Sequence, residues 1–369
     1  MWHVHVIRSH DPTRVSTPFW PRPPERYPGR LPDRADVLVI GGGITGVSLL
    51  HHLARRGMQG VLVERHHIAA GASGRNAGFL LAGVAESYAD AVRIYGRARA
   101  RDTWQMTIEN HTAEIEAIAG QEVGHRRQGS LILASGQEEA DLLAESAQLL
   151  NEDGFEASWD GRALINPRDG EVTPSLLVGA FARLAAPGSI REGVEVTGVH
   201  SRNGEVLVEA QGSECRAGSV VLATNAYTSQ LLPQVAIQPT RAQMLASAPV
   251  ASRVCELPTY SHHGYRYWRQ LKGGEILVGG WRDTSIDTEV GVSAEPTPGI
   301  QAHLEAQLKR LSPSASVTHQ WAGIMGFTGS GLPLVGPVEG MKNVYVCAGY
   351  NGHGMGFAFM SAKQLVATL

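Results

Sequence analysis

Two stretches of this sequence have the residue types and spacing to hold a phosphorylated cofactor. The first is Gly41-Gly42-Gly43-Ile44-Thr45-Gly46, followed by Glu64. In this G-x-G-x-x-G pattern Gly41 permits a tight turn, Gly43 lets backbone approach a pyrophosphate, and Gly46 lets a helix pack on a strand. The phosphates then meet the positive end of the helix, and an acid closing the next strand accepts hydrogen bonds from ribose hydroxyls. Ile44, Thr45 and Arg65 flank these contacts. The unit alone leaves NAD and FAD open. The second stretch, Gly71-Ala72-Ser73-Gly74-Arg75-Asn76-Ala77-Gly78-Phe79, favours FAD. A loop of small residues can lay its amides against a flat ring and a pyrophosphate, and Ser73 and Arg75 could contact phosphate. Phe79, Leu80 and Leu81 argue against a free surface loop, since they are costly to expose together.

The elements that must position these residues are legible. Val37-Leu38-Val39-Ile40 is an apolar run of the kind buried on both faces of a sheet. Ser48–Arg56 reads as a helix with Leu49, Leu50 and Leu53 on one side and Gly57 as its stop. Val61-Leu62-Val63 is the next strand, which completes a βαβ unit. Helical patterns follow over about 86–119 and 138–151, with a strand at Ser130–Leu133 between them. Asn203-Gly204 between Val194–Val199 and Val206–Ala210 signals a hairpin. Ser219–Ala223 is another buried strand. Strand-like segments dominate from Thr240 to His319, including Gly264–Leu271 and Glu275–Trp281. Val344–Ala348 runs into Gly349–Gly356 and a final helix through about Leu365. The expected fold is α/β, a Rossmann-type FAD-binding domain (34–85, 170–235, 322–369) interleaved with a mixed-sheet α+β substrate, or cap, domain (86–169, 236–321). Residues 1–33 carry seven prolines and read as an irregular arm lying over the surface.

The bulk numbers narrow the classes. The chain has 369 residues, 43% hydrophobic and 18% charged, with a formal net charge of −3. That balance suits a globular enzyme and gives no reason to expect nucleic acid as partner. No apolar run approaches the roughly 20 residues of a membrane helix. Cys215, Cys255 and Cys347 are far apart and odd in number, which fits a reducing cytoplasm. His3, His5 and His10 lack a Cys or acidic partner at ligand spacing, so no metal site is expected.

Taken together, the segments resemble the D-amino-acid-oxidase-like FAD oxidoreductases, which include glycine oxidase, sarcosine oxidase and γ-glutamylputrescine oxidase. The resemblance rests on Gly71–Asn76, the Phe19-Trp20-Pro21 lead-in, Gln128-Gly129-Ser130-Leu131, Ala223-Thr224-Asn225-Ala226-Tyr227 and Gly349–Met355. It spans about residues 34–369. It implies FAD, left non-covalent here because Met325 replaces sarcosine oxidase's flavin-bonding cysteine, with Val196 covering the adenine and Ala72, Ser73, Ala77, Gly78 and Phe79 near the pyrophosphate and flavin. It also implies that Gly352, His353, Gly354 and Met355 present amides to the flavin's pyrimidine end. A Gly-rich turn opening a helix would aim free N–H groups there in any case.

The implied reaction is hydride transfer from the carbon beside an amine nitrogen to flavin N5, with molecular oxygen as the expected acceptor. Tyr265, Tyr267, Trp268 and Trp281 are candidates for an aromatic wall, which would keep the amine neutral. Met325 stands where sarcosine oxidase bonds its flavin through cysteine and where glycine oxidase has a carboxylate-binding arginine. Arg266 or Arg269 is therefore the expected substrate anchor, with Arg269 preferred because it shares a strand face with Tyr265 and Tyr267. Tyr267, Arg269 and His353 are the candidate catalytic residues. The strand Glu275–Gly280 lacks the lysine with which sarcosine oxidase promotes reaction with oxygen. The alternatives are an NAD-dependent dehydrogenase built on the same βαβ unit, and a flavin-binding protein without turnover.

Overall fold

The computed structural model describes residues 16–369 apart from Asn203; His3, His5 and His10 lie outside them. Two eight-stranded sheets organise the chain. The first runs, in spatial order, Leu334–Pro337, Val344–Ala348, Ser213–Leu222, Arg34–Ile40, Gly60–Glu64 and Ile190–Glu192. From Val344–Ala348 to Ile190–Glu192 every pairing is parallel. The hairpin Val196–Arg202/Glu205–Ala210 joins the first half of Ser213–Leu222 antiparallel.

Eight helices accompany the sheets among the described residues: α1 (Ile44–Arg55), α2 (Tyr88–Tyr95), α3 (Arg97–Ala117), α4 (Gln137–Glu152), α5 (Pro174–Leu184), α6 (Thr228–Leu231), α7 (Pro298–Leu311) and α8 (Gly354–Val366). The first strand shows why the sheet is central. Val37 and Val39 pack with α1, α5 and α8 on one face. Leu38 and Ile40 pack with Val199, Val206 and Val208 of the hairpin on the other. The period of two puts alternate residues of one strand into two cores, so the run carries no polar residue. The carboxyl ends of the parallel strands therefore bring together Gly41–Gly46, Glu64, Ala223–Tyr227 and Gly349–Met355. Open α/β sheets bind their ligands in this crevice.

The second sheet orders Val317–Phe327, Gln238–Ser247, Ile276–Gly280, Arg266–Gln270, Thr259–Ser261, Ser130–Leu133, Ala163–Asn166 and Ser158–Trp159. α7 lays Ile300, Leu304 and Leu308 against Leu245, Ile276 and Val278. Those three lie at i, i+4 and i+8, one helix face, within a region whose sequence reads as strands. The helical pattern over 86–119 is broken at Gly96, whose φ of 81° separates α2 from α3. Val317–Phe327 pairs along its whole length with Gln238–Ser247. The chain thus leaves the second sheet after Phe327, later than the boundary expected at 322.

The described part of the proline-rich segment runs largely exposed and is pinned to the body at a few points. Trp20 is buried and donates its indole N–H to Asn76 O at 2.7 Å. The Ser16 hydroxyl donates to Ala294 O and accepts the Ala322 N–H. The Tyr27 N–H reaches the Glu192 carboxylate at 3.0 Å. Pro-rich chain has few N–H groups of its own to satisfy, so it can lie along the body at low polar cost.

Candidate active site

The glycine turn has the shape of a phosphate cradle. Gly41 adopts φ 114°, and a Cβ there would sit 2.6 Å from Ala223 O. A Cβ on Gly46 would lie 1.9 Å from Gly41 O, so only glycine lets α1 start this close to the strand. No side chain caps α1 by the usual route from Gly43. Instead the Ser73 hydroxyl accepts the Ile44 N–H at 3.0 Å, which brings the second glycine-rich loop onto the first helix turn. Glu64 accepts the Gly42 and His66 N–H groups at 2.7 and 2.8 Å and closes the adjoining strand. Val194 donates to Glu64 O, so Val196 lies close by at the start of its strand. The remaining first-turn amides of α1 as donors, the glycine cradle, and the carboxylate as an acceptor for ribose hydroxyls are the set that an adenine dinucleotide requires.

Some expected contacts have other work. The Arg75 guanidinium is buried and donates to Ala322 O at 2.6 Å and to Ser16 O and Oγ. Burial lowers its pKa to about 10. It ties the loop to the second sheet and does not reach toward phosphate. The Asn76 side chain donates to Ala72 O and Ser73 O and accepts the Gly78 N–H, so it shapes the loop. The Thr45 hydroxyl is buried and donates to Tyr350 Oη at 3.0 Å, joining α1 to the turn before α8. Arg65 stacks over the Tyr227 ring at 4.2 Å. Ala77 and Phe79 are buried together with Trp20 and Trp321.

That turn, Gly349–His353, opens α8, which also lacks a side-chain cap. Gly352 has φ 91°, and a Cβ there would meet Met325 Sδ at 3.3 Å. Met355 opens the buried face of α8 and accepts from Asn110. Burial lowers the His353 pKa, only partly opposed by the Asn351 carbonyl, so the ring is neutral at neutral pH.

His353 lines a cavity of about 310 Å³ whose walls include Tyr88, Trp104, Tyr260, Tyr265, Arg282 and Phe327. Asp169 also borders it. Burial raises the Asp169 pKa to about 7 while its oxygens accept from Ala82 N and Ser130 Oγ. A second hollow of about 360 Å³ lies beyond the strand ends at Ala248–Ser252 and Ser314–Ser316. It has no titratable side chain and is far from the chemistry suggested by the glycine turns.

Of the expected aromatic wall, Tyr265 alone borders this cavity. Trp281 is buried with Ile300 and Leu304, and Trp268 packs on the same cluster. Tyr267 lies behind Phe79 and Tyr260, at ring distances of 6.2 and 5.6 Å, and burial raises its pKa to about 12.

Arg269 is not a substrate anchor. Its guanidinium is 2% exposed, donates to Gly78 O and Val172 O at 3.0 Å each, and lies 3.5 Å from Glu171. Strand alternation did put it on the face toward the glycine-rich loop, but both Nη atoms go to backbone carbonyls and the Nε is buried without a partner. Arg266 is likewise engaged, with Asp283 at 3.3 Å and the Trp281 ring at 5.2 Å. Sequence reasoning passed over Tyr260, Phe327 and Arg282. The first two sat in strand-like segments and carried an aromatic signal, whereas Arg282 follows a strand end and has no motif to mark it.

A profile of FAD dependent oxidoreductases, the DAO family, matches residues 36–368. The chain belongs to the DAO family of FAD-dependent oxidoreductases. A probable oxidoreductase OrdL of Rhizobium meliloti is 27% identical over 89% of this chain and 82% of its own length. The 4-methylaminobutanoate oxidase (formaldehyde-forming) of Paenarthrobacter nicotinovorans is 26% identical over 91% of this chain, which spans only 43% of that larger protein. The glycine oxidase structure from Geobacillus kaustophilus superposes with a TM-score of 0.77 at 22% identity, covering 92% of this chain and 95% of its own. DAO-family membership makes the protein an FAD-dependent enzyme, and the NAD-dehydrogenase alternative falls. Among the described residues no helix is long and apolar enough to cross a membrane, and no cluster of metal-ligating side chains occurs.

Proposed function

We propose that this enzyme oxidises the carbon–nitrogen bond of an amine or amino acid, with non-covalent FAD taking the electrons and molecular oxygen returning the cofactor to its oxidised form. The observation that carries this reading is the cavity itself. It joins His353, at the uncapped start of α8, to the aromatic side chains Tyr260, Tyr265 and Phe327 of the other domain. Relatives named for glycine oxidation, dimethylglycine dehydrogenation and 4-methylaminobutanoate oxidation support the substrate class.

Bound FAD would supply the hydride acceptor, since in such enzymes the cofactor performs the redox step. The chain's own residues hold and surround it. Glu64 would take the ribose hydroxyls, Val196 would cover the adenine, and Ser73 with the α1 amides would take the pyrophosphate. The first amides of α8, from Gly352 to Met355, would face the pyrimidine end and stabilise negative charge developing there. Met325, beside Gly352, has a thioether that forms no bond to a flavin, so the cofactor would stay non-covalent. The aromatic wall would exclude water and lower the substrate amine's pKa, favouring the neutral form that reacts.

The reading is tested by incubating the FAD-loaded protein in air with primary and secondary amines, amino acids, alcohols and 2-hydroxy acids. Carbonyl product and hydrogen peroxide should appear with amine-bearing compounds. Turnover of alcohols or hydroxy acids, with none of any amine, would overturn it.

A further inference from the structure

Among the described residues, one guanidinium on the cavity wall has no polar partner. The acidic, basic and histidine side chains lining the cavity are Glu86, Asp90, Glu139, Asp169, Arg282, His263 and His353. Asp90 is taken by Ser87 and Arg93. Glu139 accepts from Ser135 and from the His263 N–H. Asp169 is held by Ala82 and Ser130. Glu86 lies on the side of Gly331 and Tyr95, farther than 4.0 Å from any guanidinium of the described residues. The Arg282 side chain forms neither a hydrogen bond nor an ion pair among the described residues. Its guanidinium carbon instead lies 4.4 Å from the Tyr265 ring centre and 4.8 Å from that of Phe327.

Both rings border the same cavity. Aromatic faces hold a guanidinium by its plane and leave the N–H groups on its edge free to donate as a fork. The turn beneath is fixed. Trp281, in the left-handed region at φ 61°, is buried in the α7 cluster, and its carbonyl accepts the Thr284 hydroxyl at 2.8 Å.

Phe327 lies two residues from Met325 on one strand face, about 7 Å along the strand. Met325 touches the α8 turn at Gly352. Arg282 therefore sits roughly one two-residue repeat outward from the position that faces that turn. We propose that Arg282 seats the carboxylate of the substrate, and that the substrate is an amine whose carboxylate is several bonds from the reacting carbon. This rests on the amine-oxidation reading above. A planar fork matches a carboxylate with two parallel charge-assisted hydrogen bonds, which supplies the anchor that Arg269, Arg266 and Met325 do not.

The experiment uses FAD-loaded wild type, Arg282→Ala and Arg282→Lys. Anaerobic flavin reduction is measured with 4-(methylamino)butanoate and with N-methylbutylamine, the same skeleton without the carboxylate. Butanoate, which cannot be oxidised at a C–N bond, is titrated separately against the oxidised flavin spectrum. Wild type should prefer the acid. Arg282→Ala should raise the half-saturating concentration of the acid by about 10- to 100-fold, the loss expected for a charge-assisted pair, and leave the amine unchanged. Arg282→Lys should recover part of the loss. Butanoate should perturb the wild-type flavin saturably and the alanine variant far more weakly.

Equal losses for acid and amine, or no preference for the acid in wild type, would overturn the proposal while leaving amine oxidation standing. If neither compound reduced the flavin, the butanoate titration alone would decide. A perturbation lost in Arg282→Ala would uphold the carboxylate seat, and no perturbation of wild type would overturn it.

Discussion

Replacing Arg269 by alanine should weaken the fold and the grip on FAD, without selective loss of carboxylate substrates. The guanidinium crosses from the second sheet to the first domain. It donates to Gly78 O and Val172 O, approaches Glu171 at 3.5 Å and stacks 5.0 Å over the Trp20 ring. Gly78 O would keep the Val172 N–H, which it already accepts at 2.8 Å. Val172 O would lose its partner. Glu171 would keep Arg126, but one of its buried oxygens, already without a hydrogen bond, would lose its nearest cation. Removing one partner of such a buried charge costs about 3–5 kcal/mol, a large share of the roughly 5–15 kcal/mol by which domains are stable. Burial already pulls the Arg269 pKa to about 10, against the opposing pull of Glu171, which still leaves the guanidinium charged at neutral pH. Urea titration of wild type, Arg269→Ala and Arg269→Lys, each with and without added FAD, reads the loss. Lysine keeps the charge but cannot span both carbonyls, so it should fall between the other two. An alanine variant of wild-type stability that had lost only carboxylate-bearing substrates would refute this reasoning and restore Arg269 as an anchor.

Two further changes separate cofactor binding from stability. Glu64→Ala removes charge-assisted hydrogen bonds worth about 1.5–3 kcal/mol, so the FAD dissociation constant, measured by fluorescence titration of apoprotein, should rise about tenfold or more. Glu114 in α3 is fully buried without a well-formed hydrogen bond, and neighbouring Asn110, whose side chain is spent on Met355 O and the Met360 N–H, only partly offsets that burial. Burial raises its pKa well above the ordinary 4.5, so the folded protein holds a proton that the unfolded chain releases. The stability this proton contributes is present below about pH 4.5 and is lost as pH rises toward the folded pKa. Glu114→Gln should therefore gain on wild type as pH increases, by about 1–3 kcal/mol near neutrality, seen in denaturation midpoints compared across pH.

The sequence was most informative where local chemistry and topology coincide. Gly41, Gly46 and Glu64 are dictated by one turn and one strand end, so their types and spacing suffice to find them. The apolar run at Val37–Ile40 likewise announces a strand buried on both faces. Arg269 shows the opposite case. Strand alternation places its face correctly, but whether an arginine meets substrate or carbonyl depends on Gly78 and Val172, which arrive from distant parts of the chain. Arg75 and Trp281 mislead for the same reason. α7 was obscured by the strand-like character of its surroundings, although Ile300, Leu304 and Leu308 carry helical spacing. The cavity wall was the least legible part, because Arg282, Tyr260 and Phe327 come together only after five strands of the second sheet, from Val317–Phe327 to Thr259–Ser261, are laid side by side.

Anaerobic mixing of purified, FAD-loaded protein with a panel of amines and amino acids tests the central claim most directly. The account predicts that the oxidised flavin band is lost with at least one amine-bearing compound and returns on admitting air, and that acid precipitation then leaves all the flavin in the supernatant. A protein that binds no FAD, or whose flavin stays oxidised with every amine yet is reduced by NADH or a hydroxy acid, would contradict it.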